Sequence, residues 1–170
     1  MFDDGCGAAG TLTIELAETT MPDSFEVISG FNASGGLAEV LEVDDQHLEF
    51  NPGFTLTGDA PPVNLVFNGT LPSDNPESLR IMVESSANSP NIEQTVSLFN
   101  WTTAEFETVD TRSLSFLDDR RFTIDLTDRI SDFVEPVSGR ISSAVACKAA
   151  GFTLLFPWTV SLDRVGWSTD

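Results

Sequence analysis

The chain has 170 residues, is 41% hydrophobic, and carries 27 acidic residues against 8 basic ones, for a formal net charge of −19. Its length and apolar content are enough for one well-filled core, and therefore for one domain of sandwich size. A surface of this sign disfavours nucleic acid and anionic lipid as partners, and no run approaches the ~20 apolar residues of a membrane-spanning helix.

The charge is unevenly placed. Arg80 is the first basic residue, and Lys148 is the only lysine. Counterions of a salty or calcium-bearing medium would screen the self-repulsion, which suits a soluble protein. Tyr is absent while Phe occurs 13 times. Phe has no polar tip, so the aromatic content is directed at a core rather than at a broad sugar-stacking platform.

In chain order, residues 1–10 are small and glycine-rich, and the opening Met1-Phe2-Asp3-Asp4 lacks the basic and apolar regions of a signal peptide. Thr11 to Leu16 alternates, with Leu12, Ile14 and Leu16 on one parity and Thr11, Thr13 and Glu15 on the other. A polar join from Glu18 to Asp23 follows. Residues 1–23 therefore read as an N-terminal arm with one strand, and residues 24–168 as a single sandwich domain.

Within the body the pattern predicts strands over Phe25–Phe31, Gln46–Asn51, Pro62–Leu71, Leu79–Ser85, Ile92–Phe99, Glu105–Asp110, Arg121–Leu126, Arg140–Lys148 and Thr153–Asp163. Turn residues separate them, as at Asn51-Pro52-Gly53, Asn88-Ser89-Pro90-Asn91 and Asp118-Asp119. Arg129 to Val134 predicts a short helical turn, with Asp128 as its N-cap. In the last strand, Leu154, Phe156, Trp158, Val160 and Leu162 share the buried parity, with an edge or bulge at Pro157. Trp167 lies on the opposite parity, which predicts a bulge near Arg164. Many short alternating strands with little helix make an all-β fold: an antiparallel β-sandwich of jelly-roll type.

Four stretches also carry a family pattern. They are Gly35-Gly36-Leu37 with Val43-Asp44-Asp45-Gln46 and Asn51-Pro52-Gly53; Ser78 to Glu84; Ser97-Leu98-Phe99-Asn100-Trp101-Thr102-Thr103 with Phe106 and Val109 to Arg112; and Phe156 to Trp167. Together they resemble a recurrent C-terminal β-sandwich module of bacterial exported and surface proteins, similar in layout to galactose-binding-like jelly rolls. The resemblance spans roughly residues 24–168 and brings no catalytic residues. It implies a secreted or cell-surface setting and a non-catalytic role, binding or structural, with a glycan or cell-surface protein as partner. Arg140 to Lys148 departs from the pattern, since it is built of small residues where such modules alternate basic and aromatic ones.

Individual residues sharpen this reading. Trp101, with Asn100 beside it at the tip of the hairpin from Asn100 to Ala104, is the candidate ligand-binding pair. An exposed Trp at a loop tip can stack on a sugar or anchor a partner; the alternative is that it folds back over the sandwich end. Asp44 and Asp45 are the better of two acidic doublets for a structural calcium, with Asp118-Asp119 the other. A solvated acidic surface is the plainer account of both, and no cofactor is implied. Cys6 and Cys147 could pair as a disulfide; alternatively Cys147, sharing parity with Ile141 and Val145, is a reduced core residue. His47, the one histidine, lies on the polar face with Asp45 and Glu49, without a nucleophile elbow or further zinc ligands.

Three role classes follow: a carbohydrate-binding or structural module, a fibre-like subunit that assembles by donating residues 11–16 to a neighbouring sheet edge, and a glycan hydrolase or lyase. The last needs two carboxylates facing across a cleft.

Overall fold

The computed structural model describes residues 18–42, 46–55 and 60–170. Eleven strands occur among them: β1 (Glu18–Thr20), β2 (Ser24–Ser29), β3 (Phe31–Ser34), β4 (Leu48–Asn51), β5 (Val63–Thr70), β6 (Arg80–Ala87), β7 (Ile92–Asn100), β8 (Glu105–Ser113), β9 (Arg120–Asp125), β10 (Arg140–Ala149) and β11 (Val160–Thr169). One sheet has the order β3-β4-β11-β6-β9, with β1 also paired to β11; the other has the order β2-β5-β10-β7-β8. Every ladder between these strands is antiparallel. The result is the two-sheet sandwich that the alternating sequence predicts.

Alternation explains which face of each strand turns inward. In β7, Ile92, Gln94, Val96, Leu98 and Asn100 are buried, while Glu93, Thr95, Ser97 and Phe99 are half-buried on the other face. In β5, Val63, Leu65 and Phe67 are buried. Ile81, Val83, Ile141, Val145, Leu162 and Trp167 join them in one continuous core. Burying each such side chain contributes about 1.5–3 kcal/mol. Trp158 is buried, as its parity predicts. The register of β11 against β6 shifts between Leu162 and Arg164, which is the bulge that brings Trp167 inward.

The single strand expected over Phe25–Phe31 divides at Gly30, where φ is 107°, into β2 and β3 of different sheets. Two further expectations are corrected. The last strand does not span Thr153–Asp163; it begins at Val160 and runs to Thr169. Its neighbours account for this, because Val160 pairs with Phe50 near the end of β4 and with Ala87 at the end of β6. Upstream of Val160 there is no strand edge left to pair with, and Pro157 has no N–H to offer. The backbone there bonds to the β6–β7 turn instead: Asn91 Nδ2 donates to the Phe152 carbonyl at 2.7 Å, and the Leu154 N–H donates to Ser89 Oγ at 3.0 Å. Phe152, Leu154, Leu155 and Phe156 are consequently exposed.

The second correction concerns the short helix α1 (Ile130–Phe133), which follows a 3-10 turn at Thr127–Arg129. Neither is capped by a side chain of its N-cap residue, so Asp128 does not cap. The helix-entry contact comes from Asp125, whose Oδ1 accepts the Thr127 N–H at 3.0 Å.

Cys147 carries a free, buried thiol near the end of β10. Cys6, residues 11–16, Asp44 and Asp45 lie outside the described residues, so the disulfide, donor-strand and calcium readings meet no described structure there. Glu18–Thr20 pairs with Thr169, Ser168 and Trp167 of the same chain. No helix among the described residues is long and apolar enough to cross a membrane.

Candidate functional site

The outer face of the β2-β5-β10-β7-β8 sheet is built in transverse rows. Glu26, Val66, Ala144, Ser97 and Thr108 stand side by side across the five strands. Ser29, Asn64, Ala146, Thr95 and Thr111 make the next row. Their chain neighbours Leu65, Val145 and Val96 are buried, so period-two alternation turns both rows away from the core.

Small side chains in the middle of these rows leave a groove of about 380 Å³. Val66, Ala144 and Ala146 line its floor, Ile28 and Pro61 one flank, and Phe106 the other, with Asn64 and Ser97 as polar groups. A second hollow of about 370 Å³ shares Ile28, Pro61 and Asn64 with it and extends the depression to Phe54 and Ala60. The bland composition of β10, a departure from the family pattern in sequence, is what makes the floor shallow-sided and open.

Polar groups in the groove differ in how they are engaged. Ser97 Oγ and Thr108 Oγ1 are 3.3 Å apart and bond each other. Further along, Ser142 Oγ donates to Asn68 Oδ1 at 2.6 Å. Asn64 Oδ1 is buried and has no hydrogen-bond partner among the described residues. That oxygen has essentially no solvent-accessible surface, so it is the rest of the Asn64 side chain that meets the groove.

Phe106 begins an aromatic row. Its ring centroid lies 5.4 Å from Phe99, and Phe99 lies 4.9 Å from Trp101, both edge-on. The Arg140 guanidinium sits over the Trp101 ring at 5.2 Å. Trp101 is half-buried, and its indole N–H donates to the Phe133 carbonyl at 3.2 Å. It therefore leans back on α1 and the sandwich end, and it reaches the groove only through Phe99 and Phe106.

Asn100 is buried and fully engaged. Its Oδ1 accepts the N–H groups of Thr102 and Thr103 at 2.9 and 3.1 Å, which shapes the hairpin turn. Its Nδ2 donates to Glu107 Oε2 at 3.2 Å. Arg129 grips the same carboxylate at 2.6 and 2.8 Å. The Arg129 hydrogen bonds first, then that of Asn100, lower Glu107 from 4.5 to about 2.

His47 is not free in solvent. Its Nε2 lies 3.0 Å from Asp119 Oδ2, linking the entry of β4 to the β8–β9 loop. That contact engages one member of the second acidic doublet. Among the described residues no group of three or more His, Cys, Asp or Glu side chains converges as a metal site.

Sequence reasoning singled out Trp101 at a hairpin tip, which lies outside the groove lining, and did not single out Asn64 or Phe106 as ligand candidates. Asn64 carried no signal of its own, because a polar residue between buried Val63 and Leu65 is the ordinary alternation of a half-buried strand. The signal for the groove was the pair Ala144 and Ala146 on outward parity, where a solvated strand would carry longer polar side chains.

No family model matches the sequence, and no curated protein matches it. Solved structures share its fold. A mutant of CBM29-2, a family 29 carbohydrate-binding module complexed with mannohexaose, is 13% identical over 91% of this chain and 94% of that chain, with a TM-score of 0.50. A CBM4 structure is 14% identical over 88% of this chain and 89% of that chain, also with a TM-score of 0.50. The likeness is one of architecture, an antiparallel β-sandwich of jelly-roll type.

Proposed function

We propose that the chain is a non-catalytic carbohydrate-binding module and that the groove across β2, β5, β10, β7 and β8 receives a neutral glycan chain. The observation that carries this reading is the groove itself, an outward floor of Val66, Ala144 and Ala146 flanked by exposed Phe106, with Asn64 and Ser97 as its polar groups. A pyranose presents an apolar C–H face and a rim of hydroxyl donors. Phe106 supplies an apolar face for the first, and the Asn64 and Ser97 side chains polar groups for the second. The small floor residues let a ribbon-like chain lie close to the sheet, and the adjoining hollow at Phe54 extends the track for further sugar units. Trp101 and Asn100 enter this proposal as an outer extension of the aromatic row and as the support of its turn.

Several features favour binding over turnover. Among the described residues, the groove lining lacks the carboxylate pair that a glycan hydrolase requires. The fold likeness to carbohydrate-binding modules agrees with the same reading. A secreted or cell-surface setting fits a strongly acidic chain that meets polysaccharide outside the cell.

The test is titration calorimetry, with affinity electrophoresis, against soluble neutral polysaccharides and oligosaccharides, starting with mannan fragments. The wild-type chain is expected to bind at least one. Phe106→Ala and Asn64→Leu are each expected to weaken that binding tenfold or more without changing the unfolding midpoint greatly. Silence across the panel, or undiminished binding by both variants, overturns the proposal.

A further inference from the structure

The side of the sandwich between β8 and β9 is distinct from the groove. These are the free edge strands of their respective sheets. Alternation along β9 puts Phe122 and Ile124 toward the core, and the same parity holds for Arg120, opposite Ser85. On β8, Arg112 stands opposite the buried Gln94. Two arginines thus occupy inward-parity positions at facing edges, where a closed sandwich would carry apolar residues.

A hollow of about 260 Å³ lies between them. Arg112, Arg120 and Arg121 line it together with the hydroxyl-bearing Ser85, Ser113 and Ser115. Three of the chain's 8 basic residues meet in one place on a protein of net charge −19. Two are held in position. Arg112 Nε donates to Asp110 Oδ2 at 2.6 Å, and its guanidinium lies 3.5 Å from the Phe122 ring centroid. Arg121 donates to Glu84 Oε2 at 2.8 Å through Nε and approaches it at 2.7 Å through its terminal nitrogen. Arg120 has no hydrogen bond or ion pair among the described residues, and its neighbour Asp119 is engaged by His47.

We infer that this hollow is a second binding site, one for an oxyanion: a carboxylate or a sulfate group. A guanidinium offers planar paired donors that match both groups, and fixed partners keep Arg112 from collapsing into the cavity. Arg120 supplies the charge that Asp110 and Glu84 leave unbalanced. The serine hydroxyls can donate to the oxygens that the guanidinium groups do not reach. The inference stands apart from the glycan groove, whose lining shares none of these residues.

The test is thermal unfolding of the wild-type chain and Arg120→Gln in sodium sulfate and, separately, in sodium glucuronate. Ionic strength is held constant with sodium chloride, because salt alone relieves self-repulsion in so acidic a chain. Glucose serves as the uncharged control. A saturable rise in Tm is expected for wild type with one or both anions, as for any ligand bound only to the native state. In Arg120→Gln the half-saturating concentration is expected to rise tenfold or more. Side-chain Nε–Hε NMR signals of Arg112 and Arg120 should shift along the same titration. Response to sulfate alone identifies a sulfate site, and response to glucuronate alone a carboxylate site. A non-saturating rise, or one of equal size in Arg120→Gln, overturns the inference.

Discussion

A Cβ placed on Gly69 would lie 2.5 Å from Cζ3 of Trp167. The two residues come from opposite sheets, Gly69 on β5 facing Ile141 and Trp167 on β11 facing Ile81. The indole reaches across the core and fills the space that a side chain on β5 would take. Gly69→Ala is therefore expected to destabilise the domain by about 1–3 kcal/mol through overpacking. Urea unfolding of Gly69→Ala, Trp167→Phe and the double variant checks this. The smaller ring relieves the clash, so the double variant should be more stable than the sum of the single losses predicts.

Trp158 and Phe156 separate burial from mere apolarity. Trp158 is 2% exposed and Phe156 is 83% exposed, two residues apart. Trp158→Ala is expected to cost about 3–5 kcal/mol, the usual loss for a buried aromatic. Phe156→Ala should stay within about 0.5 kcal/mol of wild type. Equal losses in denaturant unfolding would contradict the exposed loop.

That contrast shows where the sequence was legible. Strand alternation carried β5, β6, β7 and β10 to within a few residues, because each strand keeps a largely apolar inner parity. It also placed the bulge before Trp167. It failed at Leu154 and Phe156, whose alternation is as regular as that of any strand. Pairing partners decide strand ends, and the ends of β4 and β6 are not written in residues 153–159. The groove was harder still to read. Ala144 and Ala146 form a floor only because Val66 and Ser97 lie beside them on strands far away in sequence. The Arg112–Arg120 juxtaposition depends in the same way on which strands end up at the sheet edges.

Cys147 gives a chemical check on the core. Burial pushes its thiol up to about 12, against a smaller opposing effect of a Gln94 hydrogen bond. The thiolate is the reactive form, so the native thiol is expected to resist alkylation at pH 8 and to react on unfolding. Mass-resolved iodoacetamide labelling, with peptide mapping to separate Cys147 from Cys6, reads this directly. Rapid labelling of Cys147 in the folded chain would contradict its place beside Gln94.

The Glu107–Arg129 pair predicts how stability responds to acid. Glu107 is lowered from 4.5 to about 2, chiefly by the Arg129 hydrogen bonds and then by Asn100. A carboxylate depressed in the folded state contributes stability that is complete above its unfolded value and is lost as pH falls through the folded one. Glu107→Gln should therefore be less stable than wild type at pH 7. The gap should close as pH falls from about 4.5 towards 2, because protonated Glu107 then resembles Gln. Glu135, lowered to about 2 by Arg140 and Ser138, predicts the same closing gap for Glu135→Gln. Absolute stability is a poorer readout, since protonating the other carboxylates relieves self-repulsion in a chain of net charge −19. Thermal unfolding of wild type and each variant across this range makes the comparison. A gap that stays constant or widens on acidification would show that Arg129 and Arg140 do not stabilise these carboxylates in the folded chain.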